Sequence, residues 1–331
     1  MAKSPESPIK GIYCNREYSW LLFDRRVLDQ ASDLTNPLLE RCKFLAIFQS
    51  NLDEFFMVRV GSLLNEKRLA PDARENKTQL TAEEQLDVIL AEVKKLYKES
   101  ASVYQTIAKE LNARGVRLMR PHELSPRKRT LCLNYFLSAV LPLLSPMVLD
   151  AKHPLIRFEN QHIYLVYELL RDGRPMIGVM AVPPSAERLF RIPGGRKVNL
   201  ITLEDLVSEF GTLAFPGYTV VSKTLVRVTR NADFDTSVDD TDLEHDFDFS
   251  SYMKHKVENR SRQDAVRVEI DKNGGAVKSF LLENLDLKKQ YCFKLEGYMD
   301  YKFLFSLERY FEEKELSSLR YAPFKGRVAE D

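Results

Sequence analysis

The chain has 331 residues, of which 44% are apolar and 29% charged, and 49 lysines and arginines face 48 aspartates and glutamates for a net charge of +1. That composition belongs to a folded globular protein rather than a disordered or membrane-embedded one, and so even a balance excludes the broad positive field of a nucleic-acid binder. A length above roughly 250 residues predicts two domains. No apolar run approaches the roughly 18 to 20 residues that cross a bilayer, and Met1 to Lys10 lacks the apolar centre of a secretory signal. These features predict a cytoplasmic protein with no transmembrane segment, with peripheral membrane attachment as the alternative.

From Ser19 to about Leu64 the apolar spacing is helical. Trp20, Leu21, Phe23, Val27 and Leu28 recur at steps of three and four, Asn36-Pro37 marks a junction, and Leu38, Leu39, Phe44, Leu45, Ile47 and Phe48 continue. Ser50-Asn51 interrupts the rhythm before Phe55, Phe56, Val58 and Val60 resume it. Ala70 to Gln79 is polar, holds Pro71 and predicts a loop. Thr81-Ala82-Glu83-Glu84 is a capping box opening a long helix that ends at Gly115, so this first portion predicts a small helical bundle.

Beyond it the character changes. Ser125-Pro126 starts a helix that Pro142 and Pro146 stop. His162 to Leu170, the turn Asp172-Gly173 and Met176 to Val182 spell a β-hairpin. A short helix follows from Thr202 to Gly211. Tyr218 to Val228 and Ala265 to Ile270 predict strands, separated by an acidic stretch and a helix over Leu243 to Arg262. Asn273-Gly274-Gly275 turns the chain into a helix over Val277 to Leu285. The predicted fold class is α+β, an amino-terminal helical bundle over 1–118 followed by a mixed α+β head domain over 119–318.

Several chemistries are missing from the sequence. There is no G-x-x-x-x-G-K-S/T loop and no G-x-G-x-x-G turn; Gly194-Gly195-Arg196-Lys197 is a polar turn. His122, His153, His162, His245 and His255 form neither H-E-x-x-H nor H-x-K, so no catalytic histidine and no metal site is expected. Cys14, Cys42, Cys132 and Cys292 are scattered without C-x-x-C spacing and predict free thiols. The acidic run Asp233 to Asp248 lacks the glycine and glutamate of a calcium loop and predicts a solvated segment.

What remains matches a family. The run Asn15 to Leu28 is similar to the N-R-E-x-S-W-L-x-F-N-x-R-V-L opening of polyphosphate kinases of the large, histidine-phosphorylated type, and so is Asn36 to Phe48. The segment Ser50-Asn51-Leu52-Asp53-Glu54-Phe55-Phe56-Met57-Val58-Arg59-Val60 resembles the family signature nearly letter for letter. Looser landmarks of its head domain follow at Leu143 to Pro146, His153-Pro154, Val182 to Ser185, Arg188 to Phe190 and Val226 to Asp233.

The resemblance implies an amino-terminal domain and a head domain used for homodimerisation, with 319–331 the start of a catalytic region whose histidines and phosphate-binding arginines lie elsewhere. It implies ATP and polyphosphate as substrates, with Mg²⁺ accompanying ATP, and the transfer ATP + polyphosphate(n) to ADP + polyphosphate(n+1), reversibly, through a phosphohistidine. No catalytic residue is expected in this chain, which alone would be inactive. A non-catalytic short paralogue serving as a binding or dimerisation module is the alternative.

One functional residue carries over by resemblance, Asn51, as the asparagine that contacts the adenine base of ATP. A carboxamide suits that role because it offers a donor and an acceptor, as an adenine edge does. The competing reading is that Asn51 caps a helix through Leu52 to Val60, with Asp53 and Glu54 in its first turn serving helix-end electrostatics. Arg59, Arg25 and Arg26 are candidates for a phosphate path, against salt bridges to Asp24, Glu40 or Glu54. Arg127-Lys128-Arg129 opens a helix where cations are disfavoured, which suggests an anionic partner or a solvated face.

Overall fold

The computed structural model describes residues 7–149, 156–232, 264–271, 275–324 and 326. A two-residue ribbon, β1 (Ile9–Lys10) and β2 (Tyr13–Cys14), leads into helix α1 (Arg16–Ser32), capped by the buried Asn15 side chain, which accepts from the Glu17 and Tyr18 amides. After Pro37, one helical run comprises α2 (Leu38–Phe55), a π-helical turn at Phe56–Val60 and α3 (Gly61–Leu69). Residues 70–80 form the expected loop, and the Thr81–Glu84 capping box opens α4 (Ala82–Ala113), whose apolar stripe closes on α1 and α2. Gly115, at φ +89°, turns the chain out of that helix.

The second portion begins with β3 (Val116–Leu118) and α5 (Pro126–Tyr135), capped by Ser125, before a second π turn at Phe136–Val140. It continues through β4 (Met147–Leu149), β5 (Ile163–Arg171), β6 (Arg174–Ala181), β7 (Leu189–Ile192), β8 (Val198–Thr202) and α6 (Leu203–Phe210). The last elements are β9 (Thr219–Arg230), β10 (Ala265–Ile270), α7 (Gly275–Asn284), β11 (Cys292–Lys294) and α8 (Glu313–Leu319). The β5–β6 turn puts Asp172 and Gly173 at φ +52° and +74°, as a tight hairpin demands. Gly194 and Gly195 connect β7 to β8. The strand β11 and the pair β7–β8 were not foreseen, because short strands carry too few residues for alternation to show. The predicted helix over Leu243 to Arg262 and the turn Asn273-Gly274 lie outside the described residues, as do His153, His245, His255 and the acidic run.

The strands form two main sheets, one in the order β11-β10-β9-β5-β6-β4 and a smaller one in the order β3-β8-β7. Alternation decides how the larger sheet is covered. On one face Tyr164, Val166, Val226, Val228, Val268 and Ile270 pack on Val277 and Leu281 of α7. The other face, with Leu165, Tyr167, Leu169 and Leu225, joins one continuous apolar cluster that includes α1, α2 and α4. The helices therefore cover a sheet face. The fold is α+β, as its element order predicts.

The π turn is where helices and sheet interlock. A π turn offsets the backbone ladder by one residue and frees a carbonyl, and Met57 O accepts from Ala232 N, just past β9, at 2.8 Å. Gly61 then approaches so closely that a Cβ there would lie 2.1 Å from Asn231 Oδ1. Gly61→Ala is expected to destabilise the protein by about 1–3 kcal/mol, read as a lower urea midpoint.

Candidate functional site

The signature segment does not form a helix start. Asn51 and Asp53 lie in the last turns of α2, inside an unbroken helix, so neither the Asn51 cap nor first-turn electrostatics for Asp53 holds. The reason is local: Ser50 Oγ donates to Ala46 O at 3.0 Å, which lets a polar residue stay inside a helix instead of ending it. Glu54 stays exposed, whereas Asp53 turns inward and is 1% exposed.

Asp53 meets two arginines from the sheet. Arg227 Nη1 donates to its Oδ1 at 2.8 Å, and Arg267 Nη2 reaches the same oxygen at 2.5 Å. Arg227 on β9 and Glu269 on β10 are cross-strand partners, as are Thr229 and Arg267, so the register itself assembles the cluster. Arg227 Nη1 also donates to Glu269 Oε2 at 3.0 Å. The Tyr97 hydroxyl of α4 donates to Glu269 Oε1 at 2.6 Å and accepts from Arg267 Nη1 at 2.7 Å.

The guanidinium of Arg267 lies 4.5 Å from the Phe56 ring centroid. Burial alone would raise the Asp53 carboxyl; the Arg227 and Arg267 guanidiniums overcome it and hold the group well below the usual carboxylate range. Burial pushes the Tyr97 hydroxyl far up, so it stays protonated and able to donate. Two carboxylates and two guanidiniums thus form a buried ionic centre joining α2, α4, β9 and β10, with the part-exposed Lys302 Nζ at its edge, 3.6 Å from Asp53 Oδ2.

Asn51, half-buried, donates through Nδ2 to Asp24 Oδ1 of α1 at 3.1 Å. Asp24 is fully buried, its Oδ2 has no partner, and burial pushes its carboxyl up to about 7 against the pull of the Asn51 bond. The three candidate arginines do form contacts within the fold, but not with Asp24, Glu40 or Glu54. Arg25 Nη2 lies 2.9 Å from both Glu92 and Glu99 of α4. Arg59 is 3.8 Å from Glu17 and half-exposed, and Arg26 donates to Leu22 O at 3.2 Å. Asn51 and Asp24 are brought together; Arg25 is drawn to α4 instead.

Arg129 has an anionic partner, Glu209 of α6, while Lys128 Nζ lies 3.5 Å from Met119 Sδ. His162 Nδ1 sits 2.8 Å from Glu159. The four cysteines are free. Among the described residues, no three His, Cys, Asp or Glu side chains converge to hold a metal ion, and no helix is long and apolar enough to cross a membrane.

Two family models cover most of the chain: the polyphosphate kinase N-terminal domain matches residues 13–119 and the polyphosphate kinase middle domain matches 127–307. This chain belongs to the polyphosphate kinase family. Polyphosphate kinase from Staphylococcus haemolyticus is 32% identical over 96% of this chain and 43% of its own length, and that from Bacillus anthracis is 35% identical over 89% and 43%. The chain therefore spans a little under half the length of the curated relatives it matches. A crystal structure of polyphosphate kinase from Porphyromonas gingivalis shares the fold, with a TM-score of 0.73 at 22% identity, over 96% of this chain and 44% of that one. In this chain the signature residue Asn51 sits on α2 beside a buried acid, Asp24, and Asp53, two positions further on, anchors the sheet.

Two expectations follow for stability. Asp53→Asn strands two buried guanidiniums short of a countercharge and is expected to cost about 3–5 kcal/mol in urea unfolding. Pairing it with Arg227→Met should cost less than the two changes summed. The Asp53 contribution is present above the ordinary carboxylate range and is lost only as pH falls through its lowered folded value.

Asp24 carries the opposite sign. Its folded value lies above the unfolded one, so its cost is absent below about pH 4, grows toward pH 7 and is constant above. Asp24→Asn should therefore raise stability near pH 8 by up to a few kcal/mol and leave it little changed near pH 4, as read by unfolding at both values.

Proposed function

We propose that this chain supplies the nucleotide-base contact of a polyphosphate kinase. In its whole form that enzyme moves the terminal phosphate of ATP onto polyphosphate, reversibly, through a phosphohistidine, with Mg²⁺ entering together with ATP as substrate. The observation that carries the reading is the placement of Asn51. It sits mid-helix, where it satisfies no backbone amide, and its bond to the fold is made through Nδ2, leaving Oδ1 for a ligand. A structural cap would have used that oxygen inward.

The surroundings suit a flat, partly apolar ligand. Ile47 and Val58 are exposed on the same helical run, and Phe23, the neighbour of Asp24, is 44% exposed. Arg59, about two turns beyond Asn51 and half-exposed, is the arginine best placed to meet phosphate oxygens, with Arg26 second, since Arg25 is taken up by two carboxylates. The residues 119–318 are assigned to homodimerisation on the same family basis. The bond-making step is assigned to residues outside this chain, because none of its five histidines stands in an H-x-K setting.

Calorimetric titration with ATP tests the reading: the purified chain should bind ATP, and Asn51→Ala should weaken binding by about tenfold. Incubated with ATP, Mg²⁺ and a polyphosphate primer, free of host kinase, the chain should extend no polyphosphate. Chain extension would overturn the division of labour.

A further inference from the structure

Asp24 has no visible reason to be an acid, and the family opening that Asn15 to Leu28 resembles carries asparagine at this position, so the carboxylate is this chain's own departure. It is 0% exposed in the middle of α1, one oxygen takes the Asn51 amide, and the other oxygen is buried without a partner. An ionised carboxylate offers acceptors only, while a primary carboxamide presents a donor NH₂ on one side and an acceptor oxygen on the other. Whichever side faces Asp24 leaves the other for a ligand. A carboxylate inside therefore draws the Asn51 NH₂ inward and turns Oδ1 outward, and no other orientation leaves both groups paired.

We infer that Asp24 is a specificity-determining positioning residue: by holding Asn51 with its carbonyl oxygen outward, it selects a nucleobase whose exocyclic group donates, the amino group of adenine, over one carrying an oxo group there. The inference rests on the base contact proposed for Asn51 and goes one step behind it. Asp24 touches no ligand and acts through Asn51. A 6-oxopurine would set its oxygen against Oδ1, acceptor against acceptor, and leave both unsatisfied, which is a stronger discrimination than a missing contact. An aspartate that served only to pack α1 on α2 would have no effect on the ratio between two ligands of the same shape.

ATP and ITP supply that comparison, since they share the triphosphate and differ at the purine 6-position and N1. Calorimetric titration of the 331-residue chain is expected to favour ATP by about tenfold. Asp24→Asn keeps the size of the side chain but can donate as well as accept, so Asn51 is free to turn over, and the preference should fall to within about twofold of unity. Asn51→Ala separates the two readings. If it binds ATP as tightly as the parent, or if the parent binds no ATP, the base contact falls and the role of Asp24 with it. If Asn51→Ala weakens ATP binding while Asp24→Asn keeps the parental ratio, the base contact stands and the role of Asp24 is wrong.

The parent protein alone gives a second readout that needs no variant to fold. From α2 the group that meets Asp24 is Asn51, and on α4 the carboxylates Glu92 and Glu99 are tied to Arg25 of α1. Lowering the pH from about 8 to about 6 protonates Asp24, whose O–H can then donate to a turned Asn51 oxygen, so the ATP-to-ITP ratio should shrink. A ratio that is the same at both pH values would count against the orientation mechanism.

Discussion

The structure depends on a set of charges that no water reaches. Asp53, Arg227, Arg267 and Glu269 come from three different elements, each is essentially fully buried, and the four charges cancel among themselves, with Lys302 3.6 Å from Asp53 at the rim. Such a cluster is a poor source of net stability, because desolvating four ions offsets most of what their pairing contributes. What it provides is exclusiveness. Every partial arrangement leaves an ion in a dry interior without its counterion, so a slip of α2 against the sheet by a single turn is penalised far more than a slip between two apolar surfaces. Tyr97 extends the same constraint to α4, and the Phe56 ring beneath Arg267 ties it to the π turn.

This constraint accounts for how a candidate ligand residue is held so near the ionic centre. Asn51 and Asp53 are two positions apart on one helix, so they diverge by roughly 200° around its axis. Asp53 faces the sheet, and Asn51 faces α1. Fixing one fixes the rotation of the other, so the helix rotation that presents Asn51, the residue proposed to meet the base, is set by bonds that Asp53 makes.

The helical bundle, the β5–β6 hairpin and the capped helices were legible in the sequence because each is specified by nearby residues: the Thr81–Glu84 box, Ser125-Pro126, Asp172-Gly173. Asn51 became a candidate only through resemblance, and the local reading of its segment as a helix start failed. Ser50-Asn51 breaks an apolar pattern in the way a helix start does, and only the Ser50–Ala46 bond shows that the helix continues. The ionic centre was not foreseen, since members that bond directly stand up to 214 positions apart. A trace of it was present in the two Val-Arg-Val triplets, Val226-Arg227-Val228 and Val266-Arg267-Val268, where an arginine flanked by core valines marks a sheet face that is charged and yet covered. Asp24 also left a trace, since it stands at steps of three and four between Leu21 and Leu28, on the stripe that α1 buries, where the similar family opening carries an uncharged asparagine.

The π turn at Phe56–Val60 has a further consequence for how this segment tolerates change. One additional residue in a single turn advances the azimuth of everything after it by roughly 100°. Upstream, the helix shows Asp53 to the sheet; downstream, the shifted phase brings Gly61 against Asn231 and buries Leu63. The run Leu38 to Leu69 is thus two amphipathic faces joined out of phase, and its length is quantised. Deleting any one residue between Phe56 and Val60 would restore an ideal α-helix and, by doing so, point one of its two halves away from its partner.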